Sequence, residues 1–189
     1  MRLIIVLLVI VQLVHTECVS DEQCRDIRLN ANYWKPDEYD AYNDADLIFD
    51  GLYLGNVCAA HNKTWLNDHN IKLIINVARE WKDSDECTPG VKQVYYELDD
   101  SNNEDENKAR QILSDAALMI KKHLNDKGSG NVLVHCNMGI SRSTSVVLRY
   151  MQMKYPKKSF QRLLSMVSTR RRVVRPNNLF GRILTELDL

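Results

Sequence analysis

The chain has 189 residues, 25 Lys and Arg against 25 Asp and Glu, 44% hydrophobic residues and five cysteines. This composition excludes disordered, collagen-like and coiled-coil proteins, and a chain this long buries enough surface to hold one core without a structural metal. Its zero net charge excludes a nucleic-acid binder built on general phosphate neutralisation, and no nucleic-acid partner is expected.

The opening residues MRLIIVLLVIVQLVHTEC place a basic Arg2 before an apolar run from Leu3 to Val14, followed by acidic sequence. That order predicts a secretory signal over residues 1–16, cut after Thr16. The run is shorter than the ~20 residues that a spanning helix needs, so no stable membrane span is predicted; an uncleaved N-terminal anchor is the alternative. Residues 17–46 are acidic and lack a sustained period, which predicts an extended or irregular arm pinned by Trp34, Tyr39 and Tyr42.

A domain is predicted over 47–189. IFDGLYLG (48–55) reads as a hairpin turning near Gly51, and IKLIINV (71–77) as a strand buried on both faces. VKQVYYEL (91–98) and NVLV (131–134) complete the strands. Ala109, Ile112, Leu113, Ala116, Ala117, Ile120 and Leu124 recur at helical spacing before the Gly128-Ser129-Gly130 break. Further helices carry Val146, Val147, Tyr150 and Met151, then Phe160, Leu163, Leu164 and Val167, then Phe180, Ile183, Leu184 and Leu187. Strands alternating with amphipathic helices predict an α/β fold, one sheet covered by helices. Lys157, Lys158, Arg170, Arg171, Arg172 and Arg175 make the last third locally cationic, either a field attracting a phosphorylated partner or a solvated helical face.

Cys18, Cys24, Cys58, Cys87 and Cys136 are an odd number. In an oxidising compartment they allow two disulfides and one reactive thiol; Cys18 with Cys24 is the easiest local pair, although spacing does not fix connectivity. Asn62-Lys63-Thr64 is a glycosylation sequon that has meaning only on the secretory route.

The chemistry concentrates in VLVHCNMGISRST (132–144). A buried strand delivers Cys136, a tight loop follows, and Arg142 opens the next helix. Inward-turned backbone N–H groups of residues 137–142 (Asn137, Met138, Gly139, Ile140, Ser141 and Arg142), joined to a helix N-terminus, form an anion cradle. The Arg142 guanidinium can hold two phosphate oxygens, and Gly139 lets the backbone curl. Only a thiolate attacks, and the same positive surroundings favour it at Cys136. Ser143 is placed to donate a hydrogen bond to the sulfur as it leaves, and His135 to orient the loop.

The loop HCNMGISRS resembles the His-Cys-x-x-Gly-x-x-Arg-Ser loop of the cysteine-dependent dual-specificity protein phosphatases. GLYLGN (51–56), Leu66, Ile71 and IINV (74–77), then RPN (175–177) with Phe180 and Leu184, resemble that family's first hairpin, first helix, second strand and closing helix. The resemblance spans about Leu47 to Leu187. It implies a mixed, largely parallel sheet flanked by helices, hydrolysis without a metal or other cofactor, and phosphorylated proteins as substrates, with phosphotyrosine and phosphoserine or phosphothreonine esters cleaved through a phosphocysteine. Phosphatases of the same loop type acting on RNA 5′ ends or phosphoinositides are the enzymatic alternatives, and a secreted phosphate-binding pseudophosphatase the non-enzymatic one.

Expelling an alcohol or phenol oxygen requires a proton, so a carboxylic acid must face the nucleophile. YYELDDSNNED (95–105) supplies candidates. The resemblance places this acid two residues beyond the last inward-facing residue of a strand, and the alternation of Tyr96 and Leu98 then favours Asp100; its spacing to Cys136 is longer than the family usually shows, which leaves Asp99 and Asp105 as alternatives.

Overall fold

In a computed structural model, residues 18–32, 43–82, 88 and 90–187 are described. The signal predicted over residues 1–16, Trp34, Tyr39, Tyr42 and Cys87 lie outside them. The first element is helix α1 (Asp21–Asn32), followed by strands β1 (Ala45–Phe49) and β2 (Leu52–Gly55). Short helices α2 (Val57–His61) and α3 (Lys63–Asp68) lead into β3 (Ile71–Asn76) and β4 (Lys92–Tyr95). The long α4 (Glu106–Asn125), β5 (Asn131–His135), α5 (Arg142–Lys154), α6 (Phe160–Ser168) and α7 (Asn178–Glu186) complete the chain.

The five strands form one sheet in the order β1-β2-β5-β3-β4. β1 pairs antiparallel with β2, as expected for a hairpin turning at Gly51, and the other pairings are parallel. The sheet is the mixed, largely parallel one that the sequence predicts. Alternation along each strand decides which helices it meets. Leu52, Leu54, Leu73, Ile75, Val132 and Val134 share one core with residues of α4 to α7, whereas Ile74 and Leu133 face the opposite way and pack with Ala59, Ala60 and Leu66 of α2 and α3. β5 is central and covered on both faces, so its carboxyl end is a rigid place from which to project Cys136.

Within the irregular arm expected over 17–46, the stretch Asp21–Asn32 is helix α1, which corrects that expectation there. Ser20 and Gln23 cap its start reciprocally, with Gln23 N–H donating to Ser20 Oγ (3.2 Å) and Ser20 N–H to Gln23 Oε1 (2.8 Å). Cys24, Ile27 and Ala31 are its buried face. Three buried positions beside an exposed Leu29 in a polar helix give a weak periodic signal, and Val57 and Cys58, with which Cys24 and Ile27 cluster, lie far along the chain. Cys24 is disulfide-bonded to Cys58 of α2, their Cα atoms 5.6 Å apart across 34 residues, which replaces the local Cys18–Cys24 pair. Cys18 is also disulfide-bonded, and Cys136 is the free thiol among the described residues.

The Cys24–Cys58 bridge lies against the loop that follows Cys136: Cys24, Ile27, Val57 and Cys58 form one cluster, against which Trp81 and Met138 pack. Closing a loop of this length corresponds to about 3–4 kcal/mol of denatured-state entropy. A Cys24→Ala, Cys58→Ala double variant is therefore expected to lose about 2–4 kcal/mol in urea unfolding. An unchanged midpoint would show that the bridge contributes nothing to α1 docking.

Candidate active site

Cys136 follows β5 directly and is almost fully buried, and the loop after it closes where Arg142 opens α5. Every loop carbonyl finds a donor, none of them a loop amide. Asn137 O accepts from Val57 N (3.2 Å), Gly139 O from Arg171 Nε (2.8 Å), Met138 O from Arg171 Nη2 (3.3 Å) and Ile140 O from Arg175 N (2.8 Å). Ser141 O accepts from Ser145 N (2.9 Å), and Cys136 O contacts His135 Nδ1 (3.3 Å). A backbone whose carbonyls turn outward turns its amides inward. The amides of Asn137, Ile140, Ser141 and Arg142 donate to no group among the described residues, and Gly139 N–H donates to Cys136 Sγ (3.3 Å). Ser143 Oγ also lies 3.3 Å from Sγ. These donors, gathered around one sulfur, are what an anion requires.

Gly139 has φ +66°, and a Cβ there would stand 2.5 Å from Gly55 O and 2.7 Å from Arg171 Nη2. Any side chain would drive the loop away from β2 and from its clamp. The N-cap of α5 is Ser141, whose hydroxyl makes no capping bond, so the first amides of α5 stay available to a ligand.

Arg142 carries five N–H donors on two usable edges. Its outer edge is occupied: Nη1 and Nη2 each donate to Glu80 at 2.6 Å, and Nη1 also donates to Leu98 O (3.2 Å). The adjacent edge, Nε–H with the second Nη2 hydrogen, remains. Nε is buried without a hydrogen-bond partner, 3.6 Å from Asp100 Oδ2. Glu80 and Leu98 thus fix the plane of the guanidinium and leave the two-donor edge that matches phosphate oxygens. Burial works against the charge on Arg142, but its hydrogen bonds to Glu80 and the Cys136, Glu80 and Asp100 charges outweigh it and raise its pKa.

Burial pushes Glu80 up, yet the Arg142 hydrogen bonds and charge hold it below the ordinary 4.5. A depressed carboxylate stabilises the fold above its unfolded value and loses that contribution as pH falls through the folded one. The melting-temperature gap between the native chain and Glu80→Gln should therefore be full near neutral pH and close progressively below 4.5. A gap independent of pH would mean that the ionised pair does not contribute.

The three acidic candidates separate clearly. Asp100 lines a cavity of about 390 Å³ together with Cys136 and Arg142. Its Oδ1 accepts from Ser141 Oγ (2.7 Å) and Asn177 Nδ2 (3.0 Å), which leaves Oδ2 toward Arg142. Asp99 instead pairs with Arg79 (3.0 Å), and Asp105 caps α4 by accepting from Lys108 N (2.7 Å).

Sequence reasoning missed Glu80 and Asn177, and it grouped Arg171 with the exposed or field-forming cations. Arg171 is buried, with its side chain donating to Asn43 O (3.0 Å) and Asp46 (2.7 Å) besides the two loop carbonyls. A run of arginines looks uniform in sequence, and only packing distinguishes the one that turns inward. Removing the guanidinium takes a donor from the half-buried Asp46 and from two loop carbonyls, so Arg171→Met should cost about 2–4 kcal/mol in chemical denaturation. It should also weaken binding of inorganic phosphate; a stable Arg171→Met protein with native phosphate affinity would refute the clamp.

Residues 52–188 match the family described as dual specificity phosphatase, catalytic domain. The chain is 33% identical over 148 residues to Dual specificity protein phosphatase 1 of Arabidopsis thaliana, covering 77% of this chain and 70% of that protein. It is 32% identical over 164 residues to Protein phosphatase Slingshot of Drosophila melanogaster, covering 76% of this chain but 14% of that much longer protein. Among solved structures, a mouse protein complexed with zinc tungstate superposes with a TM-score of 0.68 at 27% identity, covering 81% of this chain and 92% of that one. The chain belongs to the dual specificity phosphatase family.

Proposed function

We propose that the protein hydrolyses phosphotyrosine and phosphoserine or phosphothreonine esters of proteins through a phosphocysteine. The observation that carries this reading is the outward anchoring of the loop carbonyls, which leaves amides, the free edge of Arg142 and the Cys136 sulfur facing one cavity. Tungstate, like phosphate, is a tetrahedral oxyanion, and its presence in the mouse relative's complex supports the same ligand chemistry here.

Phosphate lies on the amides of residues 137–142 and on the Nε/Nη2 edge of Arg142. Cys136 Sγ attacks phosphorus, an S–P bond forms, and the bond to the ester oxygen breaks with Asp100 delivering a proton to that oxygen. Water then attacks phosphorus, Asp100 takes its proton, and the sulfur departs with the Ser143 hydroxyl hydrogen-bonded to it. His135 holds the turn into the loop. Asn137, Met138, Ile140 and Ser141 put no lysine in the loop, which favours protein over inositol-lipid substrates. Turnover of phosphotyrosine and phosphothreonine peptides above that of phosphoinositides and triphosphate RNA is the expected result. The reverse order would replace the protein substrate.

The disulfide-bonded cysteines and the apolar opening run together support a secretory location, with residues 1–16 removed. Mass spectrometry of the mature N-terminus should begin at Glu17. A mature protein that begins at Met1 and partitions with membranes would support an uncleaved anchor instead.

A further inference from the structure

We propose that Asn62 carries an N-linked glycan, an inference that rests on the secretory reading above. Asn62, Lys63 and Thr64 form the Asn-x-Thr acceptor pattern, and all three are exposed. Their place in the fold is compatible with a large polar adduct. Asn62 is the N-cap of α3 and joins it to α2, on the sheet face opposite α4 to α7. It lines none of the cavity that holds Cys136, Asp100 and Arg142.

The two atoms of the Asn62 amide have separate tasks. Oδ1 accepts the Trp65 N–H at 3.0 Å and so satisfies one of the unpaired amides at the start of α3. Nδ2 makes no hydrogen bond among the described residues. Glycosylation changes Nδ2 alone: it forms a bond to the anomeric carbon of a lipid-pyrophosphate-linked oligosaccharide, the glycosyl C–O bond breaks, and its electron pair leaves with the lipid pyrophosphate. The proton from Nδ2 passes to a base of the transferase. Oδ1 and the cap survive, so the sugar-bearing chain can fold as the bare one does.

A second observation points to the compartment where such a donor is found. Cys24–Cys58 and the bonded Cys18 are stable pairings in an oxidising lumen, and the free thiol among the described residues is the buried Cys136. A chain that acquires those disulfides passes the same transferases while its sequon is still unfolded.

The test expresses the full chain in a eukaryotic cell and treats the recovered protein with peptide N-glycosidase. The expected result is a faster-migrating band and conversion of Asn to Asp at position 62 in the peptide mass spectrum. Thr64→Ala should abolish both while keeping the Asn62 cap, and Thr64→Ser should retain them. Aryl phosphate turnover should be the same, within about twofold, for Thr64→Ala and the glycosylated protein. A luminal or secreted protein with Cys24–Cys58 intact and position 62 unmodified would overturn the glycan and leave the secretory reading standing. A cytosolic protein with reduced cysteines would overturn both.

Discussion

Cys136→Ser will lower kcat toward aryl phosphates and phosphopeptides by at least about 10⁴-fold while phosphopeptide binding persists, because the change removes the nucleophile and leaves the cradle. The sulfur is deeply buried, and serine is a smaller side chain able to occupy its place. The donors around the site, the inward amides and the free edge of Arg142, belong to other residues and stay where they are. Pre-steady-state assays with excess enzyme and equilibrium binding of the same phosphopeptide check the two halves separately. Lost binding together with lost turnover would mean that Cys136 organises the loop rather than attacking phosphorus. Retained turnover would remove the cysteine mechanism altogether.

The second large effect depends on the leaving group. Asp100→Asn should slow release of an alkyl oxygen, as in phosphoserine, by about 10²–10⁴-fold. Aryl phosphates whose phenol is already a stable anion should be affected far less, because they need little protonation. Asn is nearly isosteric with Asp and can still accept from Ser141 Oγ and Asn177 Nδ2, so the cavity wall is kept. The contrast between substrates separates proton donation from a structural role: a change that merely disturbed the loop would depress both equally. If Asp99→Asn or Asp105→Asn gave the leaving-group-dependent loss instead, the acid would be reassigned. The structure gives those two residues other partners, Arg79 and the first turn of α4.

What the sequence disclosed follows from how local each signal is. Cys136, Gly139, Arg142 and Ser143 sit within eight consecutive residues, and a buried strand before and an amphipathic helix after them set their geometry, so the loop could be read directly. The strands were legible as short apolar or alternating runs, and the helices from α4 to α7 as apolar residues at helical spacing. The supports of the loop were not. Glu80 meets Arg142 across 62 residues, and Arg171 meets Gly139 across 32, and neither side chain differs in composition from the many exposed charges around it. The same holds for α1, whose three buried residues have meaning only once the disulfide to α2 brings their partners near. Motif residues were therefore visible, and the distant charges and crosslink that hold them in register were not.

These supports define what kind of site this is. The loop is held by the backbone of α2, by two donors of Arg171 and by the backbone of Arg175, while Glu80 and Leu98 fix the guanidinium. Preorganisation of this kind removes the cost of reorienting donors as charge develops on the transferring phosphoryl group. The Cys24–Cys58 bridge shares a cluster with Val57 and Met138, so its loss should reach the loop after Cys136 through those two residues.

The most direct measurement is acid quenching of the enzyme within its first turnover of a phosphotyrosine peptide, followed by mass spectrometry of the peptide that holds the loop. A phosphoryl group on the Cys136 sulfur, accumulating and then decaying at the rate of phosphate release, is the predicted result. Turnover without any phosphoryl-enzyme, or with the group on another residue, would contradict it.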